Sequence, residues 1–102
     1  MRVITKRRLK EFWELHANAE APLRTWYRLV NSKSLDWTKF ADVRATFNSV
    51  DQVGSCLVFN IGGNNYRLIA KVNYRWKIVY VRKIMTHGEY DKGQWPEECG
   101  CD

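Results

Sequence analysis

The sequence predicts a single α+β domain, with a short N-terminal strand and helices packed on one face of a C-terminal antiparallel sheet, and with a short terminal helix. The chain has 102 residues, of which 45% are hydrophobic, so it is long enough for one small core. Apolar residues recur at helical spacing in the first half and at strand spacing in the second half. We therefore expect one domain over residues 1–102, with a core that forms without disulfide bonds. The length excludes a two-domain enzyme.

The first half predicts one strand and three helices. Val3 and Ile4 form a short apolar run typical of an edge strand, and Thr5 is a candidate N-cap for the helix that follows. Residues at positions i, i+3, i+4 and i+7 mark helical stretches at residues 9–16 and 23–30, and a third, short stretch at residues 37–47 is helical in period. Trp and Phe at these spacings are more often core than a stacking surface for bases, so we assign them to packing.

The second half predicts three contiguous antiparallel strands. Residues 57–61 and 66–74 flank the segment Gly62-Gly63-Asn64-Asn65, whose residue types accept the positive φ of a hairpin turn. A third strand covers residues 77–84. Further along the chain, Thr86 and Glu89 have the spacing of a capping box, which predicts a short helix that continues through Tyr90 and Asp91. Gly93 and Pro96 are expected to end this helix.

The cysteines and the tail give no sign of a metal site. The three cysteines are an odd number, which is typical of a reducing compartment. Cys99 and Cys101 lack the two further spaced ligands that zinc requires. We expect no metal and no cofactor, and we interpret residues 94–102 as a loose, frayed tail.

Charge is distributed unevenly along the chain, whose formal net charge is +6. Between Gln52 and Gly88 there is no Asp or Glu, although six basic residues lie there: Arg67, Lys71, Arg75, Lys77, Arg82 and Lys83. A surface that is merely soluble usually mixes both signs, which leaves the missing acids unexplained. The pattern therefore favours a polyanion partner, with nucleic acid as the first choice.

Alternation along the predicted strands places the basic residues on the face opposite the helices. This face would carry Arg67, Lys71, Tyr80 and Arg82, with His87 and Tyr90 just beyond the strand end. Ile69 is an apolar exception on the same face. We expect a basic concavity lined by aromatic side chains, with one titratable histidine.

These residue types suit cleavage of RNA without a metal. Attack of the 2′-OH on the adjacent phosphate needs a proton acceptor, a proton donor and positive charge around the transition state. Histidine titrates nearest neutral pH, and arginine offers a fixed fork to phosphate oxygens. The basic segment has no carboxylate cluster of the kind that holds two metal ions. A structural alternative is open, because a lone histidine after Thr86 can simply belong to a helix cap.

Three motifs together resemble the HigB family of bacterial type II toxins. They are F-N-I-G-G-N at residues 59–64, Y-R-L-I-A at 66–70 and T-H-x-E-Y-D at 86–91, and residues 36–47 resemble the family as well. The resemblance implies a RelE-like fold and cleavage of messenger RNA, usually on the ribosome. It also implies a cytoplasmic protein that is neutralised by a HigA-type antitoxin with a helix-turn-helix. The toxin–antitoxin complex would bind operator DNA through the antitoxin.

The resemblance also implies roles for individual residues. Arg67 and Lys71 match the basic positions of the family's central strand and would hold the scissile phosphate. His87 and Tyr90 match the T-H-x-E-Y-D segment, where His87 would exchange a proton and Tyr90 would stack on a base or assist proton transfer. Second-rank catalytic candidates are Arg82 and Lys92, and the expected RNA-binding residues are Arg75, Lys77 and Tyr80.

Two other function classes fit the same composition. A non-catalytic RNA-binding module would use the basic face and stacked aromatics without cleaving RNA. An adaptor that binds an acidic protein would show no salt-sensitive affinity for RNA. A membrane protein is not expected, because no apolar run approaches the roughly 20 residues of a span and the N-terminus turns charged before a signal-peptide core can form.

Overall fold

The fold is a five-stranded sheet with helices on one face and a C-terminal segment on the other, in a computed structural model that describes residues 1–101. The elements in chain order are β1 (Arg2–Ile4), α1 (Lys6–Leu15), α2 (Glu20–Val30), α3 (Phe40–Thr46), β2 (Asp51–Val53), β3 (Cys56–Ile61), β4 (Tyr66–Asn73), β5 (Ile78–Thr86), α4 (His87–Asp91) and α5 (Trp95–Glu98). The strand order is β1-β5-β4-β3-β2. The predicted α+β class is confirmed.

The strands from β2 to β5 pair antiparallel, whereas β1 lies parallel to β5 at the edge of the sheet. The predicted hairpin is confirmed, and Gly62 and Gly63 adopt φ of 62° and 69° in its turn, a conformation that costs glycine little. The sequence patterns missed β2 and placed the end of β5 too early. A bulge between β4 and β5, at the step from Ile69 to Ala70, interrupts the simple alternation within β5.

The larger core lies between the sheet and α1, α2 and α3. The Phe59 ring on β3 is at its centre, with centroids 5.4 Å from Trp26, 6.3 Å from Trp37 and 5.2 Å from Phe47. Trp26 lies on α2, Trp37 lies in the loop before α3, and Phe47 directly follows α3, so the third helix begins later than the predicted stretch 37–47. The prediction that the helical aromatics serve packing is confirmed. No helix among residues 1–101 is long and apolar enough to cross a membrane.

A second, smaller core lies on the opposite face of the sheet, where a loose tail was expected. Val58, Ile69 and Met85 point to this face and are buried beneath α5 and the residues that follow it. Trp95, Cys99 and Cys101 provide the cover, and a disulfide joins Cys56 to Cys101. The expectations of a loose tail and of a core without disulfides are therefore wrong for residues 94–101, while Asp102 lies outside the described residues. The physical reason is that apolar strand positions on this face need cover from water.

Candidate active site

The hairpin turn and the start of α4 bring the candidate histidine next to the central strand. β4 and β5 pair so that Arg67 lies opposite Met85, which places Thr86 and His87 beside the turn that precedes β4. The His87 backbone N–H donates to the Asn65 carbonyl at 3.0 Å. The site therefore combines residues of two strands' ends, although they are distant in sequence.

Arg67 is buried, with 7% of its surface exposed, and its guanidinium donates to groups of the protein itself. Nη1 donates to the carbonyls of Asn64 and Tyr66 at 3.2 and 3.1 Å. Nη2 donates to the Asn64 side-chain oxygen and to Nδ1 of His87. These four bonds satisfy a buried charge, which would otherwise be costly.

His87 is the bridge between Arg67 and α4. Its Nδ1 lies 3.0 Å from Arg67 Nη2, and its Nε2 lies 3.1 Å from Oδ2 of Asp91, one helical turn later. The side chain is 44% exposed, so one edge of the ring is open to solvent while Nδ1 faces Arg67. The arrangement is a chain of contacts from Arg67 through His87 to Asp91.

Tyr90 completes the group and connects it with the C-terminal segment. The Arg67 guanidinium carbon lies 5.3 Å from the centroid of the Tyr90 ring, which is within the range of a cation–π contact. The Tyr90 ring also stacks on the Trp95 ring of α5, with a distance of 5.2 Å between the ring centroids and an angle of 19° between the ring planes. α5 therefore limits the positions that Tyr90 can take.

The capping box predicted from the sequence is present and fixes the start of α4. Thr86 Oγ1 accepts from the Glu89 backbone N–H, and Glu89 Oε1 accepts from the Thr86 backbone N–H at 3.1 Å. The Thr86 backbone N–H and the Thr86 hydroxyl both donate to the Glu89 carboxylate, and these two hydrogen bonds hold the pKa of that carboxyl below its ordinary value of 4.5. His87 is the first residue of this helix, so the cap also sets the direction of its side chain.

We expect Thr86→Ala to lower the free energy of unfolding by about 1 kcal/mol, because the cap loses its acceptor for the Glu89 N–H. The stabilisation from Glu89 is present above the carboxyl's unfolded pKa and is lost as the pH falls through the lower folded value. Urea denaturation of both proteins at neutral and acidic pH measures this. A difference between wild type and variant that stays unchanged down to low pH would contradict the role of the Glu89 carboxylate.

Lys71 does not join Arg67 and His87. It lies four residues along β4 from Arg67, which corresponds to roughly 13 Å at the rise of a strand. Between them the buried Ile69 side chain is covered by the second core, and the Lys71 ammonium lies beside Gly100. The predicted open basic face is therefore divided by the C-terminal segment, and the expectation of one continuous concavity is wrong.

The other predicted positions lie further away. Arg82 is exposed at the bulge of β5, where its carbonyl accepts from Arg8 Nη1 at 2.7 Å, and Lys92 is exposed after α4. Tyr80 pairs with Lys71 in the sheet, and Arg75 lies in the exposed turn before β5. These residues keep an accessible side chain on the sheet or its rim.

Lys77 differs from them, because its side chain is engaged with the helical layer. Its Nζ lies 2.6 Å from Asp36 Oδ1 and donates to the Trp37 carbonyl at 3.1 Å. On the other side of the sheet, Lys83 binds Glu98 of α5 at 2.6 Å, and this hydrogen bond raises the pKa of Lys83. Both contacts neutralise part of the basic charge that the sequence concentrates in this segment.

Sequence reasoning missed Asn64 and Asp91. Asn64 was interpreted only as a turn residue, yet it accepts two of the hydrogen bonds from Arg67. Asp91 was interpreted only as a helix residue, yet it lies four positions after His87 and contacts its ring. The i, i+4 spacing of Asp91 and His87 was the available signal. Among residues 1–101, no group of three or more potential ligands is arranged to hold a metal ion.

Comparison with known proteins agrees with the three motifs. The profile of a family described as HigB_toxin, the RelE-like toxic component of a toxin-antitoxin system, matches residues 19–93. A protein of Escherichia coli strain CFT073 named mRNA interferase HigB is 32% identical over 95 residues, which cover 90% of each chain. The mRNA interferase HigB of Shigella flexneri is 33% identical over 95 residues, which cover 89% of this chain and 88% of that protein.

Proposed function

Because this chain belongs to the HigB family of RelE-like toxins, we propose that it is an mRNA interferase, an endoribonuclease that cleaves messenger RNA in the cytoplasm. Family membership also implies an antitoxin partner. The observation that carries the proposal is the cluster of Arg67, His87 and Tyr90 at one end of the sheet. It brings a cation and an imidazole, which suit the charge stabilisation and proton transfer of this reaction, within contact distance of an aromatic ring that can stack on a base.

We propose that the 2′-oxygen of the RNA attacks the adjacent phosphorus while the bond to the 5′-oxygen breaks, which leaves a 2′,3′-cyclic phosphate and a 5′-OH. The His87 ring is half-exposed at the site, where it exchanges a proton with the reacting groups or donates a hydrogen bond to them. Arg67 supplies positive charge next to the His87 ring. Tyr90 stacks on a base of the RNA or assists proton transfer. The reaction uses these groups of the chain and no metal ion.

The remaining basic residues fit contacts with RNA outside the scissile phosphate. We propose that Lys71 binds a neighbouring part of the RNA strand, because its distance along β4 separates it from His87. Arg82 and Lys92 are second candidates for such contacts. The exposed Tyr80 and Arg75 extend the same surface toward the turn before β5.

We also propose that the antitoxin is a HigA-type protein with a helix-turn-helix and that the target is messenger RNA on the translating ribosome. The toxin–antitoxin complex then binds operator DNA through the antitoxin. A net charge of +6 supports association with ribosomal RNA and with a less basic partner.

Induction of the chain without a partner is expected to stop growth and to deplete translated messages. Primer extension should show new 5′ ends inside coding sequences, and co-expression of the antitoxin should abolish them. Growth arrest with unchanged message profiles would contradict the nuclease and favour an RNA-binding module that blocks translation without cleavage. An adaptor for an acidic protein would show neither cleavage nor salt-sensitive affinity for RNA.

A further inference from the structure

The hydrogen-bond chain around His87 defines where its proton lies. A guanidinium has only donors, so the contact between Arg67 Nη2 and His87 Nδ1 at 3.0 Å requires Nδ1 to be an unprotonated acceptor. In the neutral ring the proton is then on Nε2, and Nε2 faces the Asp91 carboxylate at 3.1 Å. Both neighbours therefore select the same tautomer.

Asn64 determines the position of the Arg67 guanidinium. It accepts from Nη2 through its side-chain oxygen and from Nη1 through its carbonyl, and the Tyr66 carbonyl takes the second Nη1 bond. All four terminal N–H groups of Arg67 thus have partners inside the protein. Arg67 can grip a phosphate with these groups only by releasing Asn64 or His87.

We propose that Asn64, Arg67 and Asp91 are positioning residues, which hold His87 as the neutral tautomer with its proton on Nε2. His87 then offers a hydrogen bond from Nε2 to an oxygen of the reacting phosphodiester. That oxygen replaces Asp91, whose side chain is 60% exposed, as the acceptor. This inference rests on the proposed nuclease function, and it changes the role of Arg67 from direct phosphate binding to control of His87.

The arrangement also has a chemical consequence for the resting enzyme. A histidine that accepts at Nδ1 and donates at Nε2 cannot take a proton at Nε2. It acts on the substrate as a neutral electrostatic group, which stabilises negative charge where it develops. Protonation of the ring at Nδ1 requires Arg67 Nη2 to move away first, because two donors would face each other.

The test is NMR of the full chain labelled with 15N-histidine, in which the two histidines give separate signals. At neutral pH, His87 is expected to show a protonated Nε2 and an unprotonated Nδ1. A protonated Nδ1, in the neutral ring or in the imidazolium, would overturn the proposal. His16 is an internal reference, because it stacks on Phe12 and does not contact Arg67.

Variants of Asn64 distinguish a role in positioning His87 from a role in folding, and they test the positioning role separately from the nuclease function. Asn64→Ala is expected to mix the His87 tautomers and to lower kcat about 10-fold with KM unchanged, because the reacting geometry loosens. Asn64→Asp keeps an acceptor for Arg67 and is expected to restore the tautomer, while Asn48→Ala at an exposed position should change nothing.

A pure Nε2–H tautomer in Asn64→Ala together with a 10-fold fall in kcat would overturn the positioning role and leave the nuclease intact. Wild-type protein with the expected tautomer and no cleavage would instead overturn the nuclease and leave the hydrogen-bond chain as a structural finding.

Discussion

Replacing His87 with alanine is expected to lower cleavage of messenger RNA by roughly 10²-fold or more, the scale of losing one acid–base or preorganised electrostatic group. The side chain is half-exposed and belongs to no core cluster, so the fold should survive the change. Cleavage by purified protein in a translation extract measures the effect, after circular dichroism has shown a folded variant.

His16→Gln is the matched control for this experiment. His16 packs on Phe12 and Tyr66 on the helical side of the sheet and has no hydrogen bond to Arg67, so cleavage should remain within a few-fold of wild type. His87→Ala with nearly wild-type cleavage and toxicity would remove the catalytic role. The Thr86–His87 segment would then be only a helix cap, and Tyr90 and Lys92 would be the next residues to test.

Removal of the disulfide is expected to lower the free energy of unfolding by about 2–4 kcal/mol, because the bond closes a long loop in the unfolded chain. Cys56 and Cys101 are 45 positions apart, and each is buried in the second core. The double variant Cys56→Ser/Cys101→Ser measures this in urea, and wild-type protein with a thiol reductant should behave like the variant. Equal stability of oxidised and reduced wild type would contradict the prediction.

Cys99→Ala is the control for the disulfide, since Cys99 is free and lies in the same cluster. Burial raises the pKa of the Cys99 thiol, so we expect this residue to react slowly with alkylating reagents in the folded protein. Loss of the disulfide should also loosen the stack of Trp95 on Tyr90, which tryptophan fluorescence can follow. Disulfides are rare in reducing compartments, so the stability of this protein is expected to depend on whether the Cys56–Cys101 pair is oxidised or reduced.

Much of the fold was predictable because its signals are local. The hairpin turn depends on Gly62 and Gly63, and the start of α4 depends on Thr86 and Glu89, which lie within a few residues of each other. The second core was not predictable, because it depends on contacts between β3 and a segment about 45 positions later. Ile69 appeared as an exception on a polar face, and its burial under that segment is the physical explanation.

In the candidate site, too, the features with local sequence signals were predictable and those that depend on tertiary contacts were not. His87 and Tyr90 were identified from a motif, and the structure places both beside Arg67. Alternation placed Arg67 on an open face, but it does not show that the Asn64 side chain folds back over the guanidinium. The distance of Lys71 from Arg67 follows from residue spacing along β4, but that spacing does not reveal that the C-terminal segment covers the face between them.

The parallel pairing of β1 with β5 sets the order in which the protein can be completed during its own synthesis. Residues 2–4 pair with residues 78–80, so the first strand has no partner until the last strand has left the ribosome. His87 and Asp91 follow that strand in the chain, and the disulfide partner Cys101 emerges later still. Contacts this distant in sequence cannot form while a domain is only partly synthesised. We therefore expect an incomplete nascent chain to be harmless to the ribosome that makes it, and toxicity to begin only once nearly the whole chain is released.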